Sequence, residues 1–438
     1  MEAQRFRLPL YLPAQGAAET EATIIEWFVA EGDEFNQGDV LAQIDSAKSV
    51  FDFQAPCRGR VIRLLRLESE TVPYTEPVME IETSDPGMKD WIPPAAGAVE
   101  ASLERKPGPA AEAAGPATGV VLRGIGGYLP SRIVTNAELV QGFPQVAEEY
   151  VYQVTGIRQR RWAAEGEKPS DMAYAAALEA IRHAGVAVRE IDAIVVATTT
   201  PDFAMPSTAC VLQDRLGRVG IPAFDVNAAC SGWLYAVAVA QGLILSQTVR
   251  NALVVGVELQ SRLLDAADRS ALFLFGDGAG AAILAAGTSG HRLGPAILGA
   301  DSRGLRLARR STPGYLVADS QPDLDPWIRI DGAALFRVAT EGFIQIIRQS
   351  IARAGWTPEE TRWVVPHQAN SRILKAVARR SGVPFNRFYI NMEHVGNTSS
   401  ASIPLALSEI APTLQTGDKL ILCSVGAGVT TAAVSLEW

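Results

Sequence analysis

Cys230, His367 and Asn397 are the residues of this chain whose types and surroundings are suited to nucleophilic catalysis. Cys230 stands in Phe224-Asp225-Val226-Asn227-Ala228-Ala229-Cys230-Ser231-Gly232-Trp233, an apolar strand, then small residues, then a thiol. An Ala-rich helix over Tyr235 to Ile244 is predicted next, which places the thiol at a helix start. Unpaired N–H groups and the partial positive charge of a helix N-terminus favour a thiolate, so Cys230 is expected to have a lowered pKa and to act as a nucleophile. His367 lies in Val365-Pro366-His367-Gln368-Ala369-Asn370, and Asn397 in His394-Val395-Gly396-Asn397-Thr398-Ser399. A free cysteine is more often a buried small hydrophobe than a catalyst. The two partner segments are what make Cys230 a candidate.

The elements that must position these residues repeat. Asp171 to Thr200 reads as an amphipathic helix, then Ala184-Gly185, then the strand Ala193-Ile194-Val195-Val196-Ala197. Glu341 to His367 has the same plan, with Ile344, Ile347 and Ile351 on the helix, then Ala354-Gly355, then Trp363-Val364-Val365. The approach to Cys230 through Phe224-Asp225-Val226 is echoed by Tyr389-Ile390-Asn391 before Asn397. Ala252 to Gly256 is echoed by Leu420 to Cys423. Apolar strands without alternation, separated by helices, predict sheets covered on both faces.

From about Val120 to Trp438 the chain resembles ketoacyl synthase III, a condensing enzyme of the thiolase fold. The resemblance also rests on Gly124-Ile125-Gly126-Gly127-Tyr128-Leu129-Pro130, Thr155-Gly156-Ile157 and Phe275-Gly276-Asp277-Gly278-Ala279-Gly280. It implies a duplicated α/β fold layered α-β-α-β-α, and a transferase that works as a homodimer on coenzyme A or acyl carrier protein thioesters. Cys230 would take the acyl group, with the backbone N–H groups of Cys230 and Gly428 as the oxyanion hole. His367 and Asn397 would hold the carbonyl of a malonyl-type thioester while decarboxylation charges that oxygen. Met205 matches a position lining the partner subunit's acyl pocket. Tyr150 stands where the family stacks a tryptophan on adenine, and Val154 where it has an arginine. Arg269 and Arg372 match two other basic positions, Arg372 at a carrier-protein docking patch. Weakened coenzyme A contacts are the expected result.

The first 83 residues read as short strands and turns, among them Thr23 to Val29, the turns Glu31-Gly32-Asp33-Glu34 and Asn36-Gln37-Gly38-Asp39, and Val40 to Ile44. With Asp45-Ser46-Ala47-Lys48-Ser49-Val50 and Gln54-Ala55-Pro56-Cys57-Arg58-Gly59 they resemble a lipoyl domain, a small all-β carrier. The resemblance implies lipoate on Lys48. Biotin carriers share the fold but place methionines beside the lysine, where this chain has Ala47 and Ser49. An unmodified domain remains a further alternative. Residues 84–119 are rich in Ala, Pro, Gly and Glu and read as a flexible linker, of roughly 30 Å mean span for about 35 residues. The expected domains are therefore 1–83, 84–119 and 120–438.

The totals narrow the field. Of 438 residues, 48% are hydrophobic and 20% charged, as in ordinary globular proteins. A net charge of −9 argues against nucleic acid or an anionic membrane as partner. Cys57, Cys210, Cys230 and Cys423 are scattered without metal-ligand or disulfide spacing, so a reducing cytoplasmic setting and no metal are expected. Cys423 reads as packing, and His183, His291 and His394 have no decisive context. Acyl transfer from Cys230 to another nucleophile is the second reading. A non-catalytic carrier or assembly subunit is the third. A lipoate ligase or a 2-oxoacid dehydrogenase-type complex would be a partner of the N-terminal domain.

Overall fold

The computed structural model describes residues 5–13, 20–46, 50–89, 119–311 and 325–438. The chain forms two compact units, residues 1–113 and 114–438.

In the first unit, one four-stranded sheet runs in the order Phe6–Tyr11, Pro77–Thr83, Gly59–Leu64, Glu34–Phe35. The other runs Val50–Gln54, Val40–Ser46, Glu21–Trp27, Thr71–Pro73. Alternation along the strands turns Ile24, Leu41, Ile44 and Phe53 of one sheet and Leu10, Val61, Met79 and Ile81 of the other into a common core. Gly59 is required by packing: a Cβ there would lie 2.9 Å from the Phe35 ring and 3.0 Å from the Glu82 carbonyl oxygen. The first unit's core continues past the expected boundary at residue 83. A short 3₁₀ turn, Pro86–Met88, capped by Asp85, buries Met88 in the same core, because this apolar residue follows the last strand closely enough to reach it. The strands Val40–Ser46 and Val50–Gln54 pair antiparallel with Asp45 opposite Val50. Lys48, with Ala47 and Ser49, lies outside the described residues, as does linker segment 90–118.

The second unit carries the predicted duplication. In the first half the strand order is Ala223–Val226, Ala193–Ala197, Asn251–Leu259, Asp277–Ala286, Val120–Tyr128. The second half runs Thr361–Pro366, Lys419–Gly426, Thr430–Glu437, with Ile297–Ala300 on the last strand. The short strand His291–Leu293 pairs with both halves and joins them into one hydrogen-bonded ribbon. Ala193–Ala197 lies parallel to Ala223–Val226, and its counterpart Val364 bridges in parallel to Phe388, just before Tyr389.

Alternate side chains of each strand serve opposite faces. Val195 and Val254, with Leu420, Leu422 and Val434, enclose the central helices Gly232–Leu245 and Ser402–Ile410 through Trp233, Val237, Ile403 and Leu407. Ile194, Val196, Leu253 and Val255 pack outward on helix Pro169–Ala184. Ile421, Cys423 and Ala433 pack outward on helices Gly332–Ala354 and Ser371–Ser381. The result is the α-β-α-β-α layering expected. Cys423 is fully buried there as packing. Among the described residues, no helix is long and apolar enough to cross a membrane.

Candidate active site

The nucleophile segment leaves strand Ala223–Val226, makes the 3₁₀ turn Ala229–Ser231 and enters helix Gly232–Leu245. Ala229 sits in the left-handed region at φ 48°, a conformation uncommon outside glycine and a mark of a tightly constrained turn. Hydrogen bonds from the late loop hold it. The Ser424 hydroxyl donates to the Cys230 carbonyl at 2.9 Å, and the Thr430 hydroxyl to the Ala228 carbonyl at 2.9 Å. Gly426 makes this approach possible, since a Cβ there would sit 2.9 Å from the Ser231 nitrogen and 3.0 Å from the Ala228 oxygen.

Cys230, His367 and Asn397 line one cavity of about 410 Å³. His367 follows strand Thr361–Pro366, is buried, and has its backbone N–H on the Cys423 carbonyl at 2.8 Å. Asn397 is fixed on both backbone sides: its N–H donates to Leu274 O at 2.9 Å and its C=O accepts from Gly276 at 2.9 Å. Its side-chain oxygen accepts from the Ser399 N–H at 2.9 Å, and its NH₂ donates weakly to Ala369 O at 3.5 Å, which leaves its second N–H for another partner. Gln368 ties the two segments together. Its amide oxygen accepts from the Asn391 N–H at 3.1 Å, and its NH₂ donates to Pro366 O at 2.9 Å and Tyr389 O at 3.0 Å.

The electrostatics reverse one expectation. The helix start does not leave Cys230 with a lowered pKa: burial pushes the thiol up to about 11, against hydrogen bonds from Ser399 and from the backbone of Cys230 and Ala427. Glu258 adds to the rise by its charge. The side chain is only half-buried by exposed area because it opens on the cavity, while protein surrounds it on its other sides. Burial also holds His367 down to about 3, so its imidazole is neutral. Among the described residues, no hydrogen-bond partner reaches His367 Nδ1. We therefore assign the ring proton to Nε2, which leaves a lone pair unpaired in the interior instead of an N–H.

The late-loop residues beside the thiol are not those expected from the resemblance. Gly426 and Ala427 line the cavity and Ala427 N–H reaches the thiol, whereas Gly428 is absent from the lining. Gly428 has φ 129° and turns the chain into strand Thr430–Glu437, so its backbone serves the reversal.

Comparison with known proteins bears on this arrangement. The family described as 3-oxoacyl-[acyl-carrier-protein (ACP)] synthase III matches residues 224–302, and its C-terminal part matches 351–438. Beta-ketoacyl-[acyl-carrier-protein] synthase III of Rhodobacter capsulatus is 43% identical over 326 residues, 73% of this chain and 98% of the relative. The chain belongs to the ketoacyl synthase III family. A Streptomyces coelicolor member is also 43% identical, over 325 residues that make up 73% of this chain and 97% of that one. The solved 3-oxoacyl-[acyl-carrier-protein] synthase III of Aquifex aeolicus superposes with a TM-score of 0.68 at 37% identity, over 73% of this chain and all of that one. The priming β-ketosynthase of the R1128 polyketide pathway does so with 0.68 at 34%, over 73% and 96%. Residues 9–81 match the family described as biotin-requiring enzyme, so a ketoacyl synthase III is joined here to a biotinyl/lipoyl-type domain.

The remaining expected residues of this synthase are scattered. Val154 and Arg372 line the cavity, with Arg309 and Arg310. Arg372 follows Asn370, which caps helix Ser371–Ser381 and donates to the Val154 carbonyl at 3.0 Å. Tyr150, one turn before Val154 on helix Glu148–Thr155, is exposed and outside the lining. Arg269, at the start of helix Arg269–Leu272, is likewise exposed and outside it. Met205 is 84% exposed and does not reach the cavity of its own chain. His394 pairs with Glu409 at the surface, His183 bonds the Ile125 carbonyl, and His291 stacks on Trp438. Sequence reasoning passed over Arg309, Arg310, Thr199, Gln260 and Ser399 in the lining, and Glu258 behind it. Glu258 carried a readable signal: it is the one ionisable side chain in the apolar strand Asn251–Leu259.

Proposed function

We propose that this synthase performs a decarboxylating Claisen condensation through an acyl-Cys230 intermediate. The observation that carries the reading is the placement of Cys230, His367 and Asn397 on one cavity. The Cys230 sulfur attacks the carbonyl of an acyl thioester. The N–H groups of Cys230 and Ala427 receive the developing oxyanion, and the thiol proton leaves with the departing thiol. A malonyl-type thioester then binds with its carbonyl oxygen toward His367 Nε2–H and the Asn397 NH₂. Loss of carbon dioxide leaves an enolate on that oxygen, which the two donors stabilise. The enolate carbon attacks acyl-Cys230, the C–S bond breaks, and the sulfur recovers a proton as the β-ketoacyl thioester departs. A neutral imidazole suits this role, because it donates a hydrogen bond without surrendering its proton.

The N-terminal domain is read as an acyl carrier or docking module for this cavity, attached through Lys48. Lipoate on Lys48 would supply a thiol able to hold an acyl group as a thioester; Ala47 and Ser49 beside the lysine favour it over biotin. Val154 at the cavity wall and the exposed Tyr150 support weak coenzyme A contacts and thus protein-borne donors. A homodimer is proposed on the family resemblance, with the exposed Met205 turned to the partner's pocket.

The test is peptide mapping by mass spectrometry after incubation with acyl-CoA and acyl carrier protein donors. The adduct is expected on Cys230 and absent from Cys230→Ser. An adduct that persists in Cys230→Ser refutes the assignment.

A further inference from the structure

Behind the reacting groups lies a carboxyl group that the chemistry above leaves unused. Glu258 is fully buried near the end of strand Asn251–Leu259, and its partners are all uncharged. It accepts from the Thr199 N–H at 3.2 Å, the Thr199 hydroxyl at 2.7 Å, the Thr200 hydroxyl at 3.0 Å, the Gln260 amide at 2.9 Å and the Ser399 hydroxyl at 3.2 Å. Removing a charged side chain from water without a cation is expensive, and is sustained here by dense donation from neutral groups. Thr199, Gln260 and Ser399 also form part of the wall of the Cys230 cavity.

Ser399 is the link. Its backbone is in the left-handed region at φ 47°, an uncommon conformation for serine that the surroundings must impose. In that conformation its hydroxyl donates to Glu258 at 3.2 Å and its oxygen is within reach of the Cys230 thiol, while its N–H donates to Asn397 Oδ1 at 2.9 Å. The nucleophile and the amide read as the extender's donor thus share one support.

We infer that Glu258 is a positioning residue: it fixes Ser399, which holds the Cys230 thiol through its hydroxyl and orients the Asn397 amide through its N–H. This rests on the roles of Cys230 and Asn397 given under Proposed function. The charged and titratable groups on the walls around the thiol are Glu258, by way of Ser399, the neutral His367 across the cavity, and Arg309, Arg310 and Arg372 elsewhere in its lining. Burial raises the pKa of the Glu258 carboxyl, against hydrogen bonds from Thr199 and Thr200 that favour its charged form; when ionised it adds to the burial that already opposes thiolate formation at Cys230.

The experiment follows Cys230 alkylation by iodoacetamide at pH 8 and decarboxylation of a malonyl thioester, in wild type, Glu258→Gln and Glu258→Asp. Loss of the charge in Glu258→Gln lowers the thiol pKa by about one unit, the lower end of the effect of a nearby charge. Thiolate then rises about tenfold and its nucleophilicity falls about threefold, for a net acceleration of alkylation of about threefold. The same variant should slow decarboxylation about tenfold or more, because Asn397 is released from its orientation. Glu258→Asp keeps the charge and disturbs the geometry, so decarboxylation should fall while alkylation stays near wild type. Alkylation of Glu258→Gln at the wild-type rate overturns the inference. So does equal acceleration in both variants, which would mean loosened packing.

Peptide mapping separates the two levels. Label on a residue other than Cys230 refutes the proposed nucleophile, whereas label on Cys230 with unchanged variant rates refutes only the role of Glu258.

Discussion

His367 offers the sharpest test of how this cavity is built. Its imidazole is neutral in the folded chain down to about pH 3, because burial excludes the charged form. An unfolded chain protonates the same ring near pH 6.5. Below pH 6.5 the unfolded state therefore binds a proton that the folded state refuses, and stability falls as pH drops toward 3. At pH 5 the lag amounts to about 1.5 units, or about 2 kcal/mol at 1.36 kcal/mol per unit; at pH 7 it is close to zero. His367→Gln keeps a donor and removes the titration. Urea unfolding of wild type and variant at pH 7 and pH 5, followed by the fluorescence of buried tryptophans such as Trp233, should show wild type losing about 2 kcal/mol more than the variant on acidification. The chemistry should agree: malonyl thioester decarboxylation should have no limb near pH 6.5 between pH 5.5 and 8.5. Equal acid sensitivity of the two proteins, or a wild-type limb near 6.5 that His367→Gln abolishes, would refute the neutral-donor argument.

Asn397→Ala should retain much of the self-acylation while decarboxylation falls about 10²–10³-fold, the cost of losing one oxyanion donor; normal condensation by this variant would point to other chemistry. Met205→Phe should shorten the acyl chain accepted by a homodimer, as read from product chain lengths; an unchanged preference, or a monomer by light scattering under active conditions, contradicts the proposed role. Lys48→Ala should slow turnover with donors borne on the N-terminal domain and leave coenzyme A-borne donors unaffected. Equal turnover on every donor, or an intact mass without modification, would make that domain a docking module instead.

What could be read in the sequence was what short segments carry. The strand-to-thiol segment at Cys230 and the segments around His367 and Asn397 each hold their residue within a few positions, and the fold brings all three to one cavity. The duplicated layering was legible because strands such as Ala193–Ala197 are buried on both faces and so lack alternation. The pKa of Cys230 was not legible. A local rule saw only the helix start, whereas burial in the folded chain raises the pKa and outweighs the hydrogen bonds from Ser399 and Ala427, both remote in sequence. Which backbone N–H of the late loop lies beside the thiol was not legible for the same reason. A run of Gly426-Ala427-Gly428 does not say which N–H faces the sulfur until the turn into Thr430 is seen. Helix Gly332–Ala354 begins well before Glu341, with Asp331 as its cap, because apolar spacing marks a helix's buried stretch better than its solvent-facing start.

The thiol's high pKa and the neutral imidazole bear on one another. A thiolate beside an imidazolium would attract the pair into an ion pair at rest, and the histidine would then lose its freedom to serve as donor to an enolate. Here burial opposes both charges, and the charge of Glu258 further disfavours the thiolate. A resting thiol of high pKa is a slow target for oxidants and alkylating agents, whose rates follow the thiolate fraction. Once acylated it no longer ionises, and the charge of Glu258 has nothing left to repel. The same carboxylate that restrains the free thiol is then without electrostatic cost to the acyl-enzyme. In the proposed mechanism an ionised Glu258 thus disfavours the free thiolate and leaves the acyl-Cys230 intermediate unaffected.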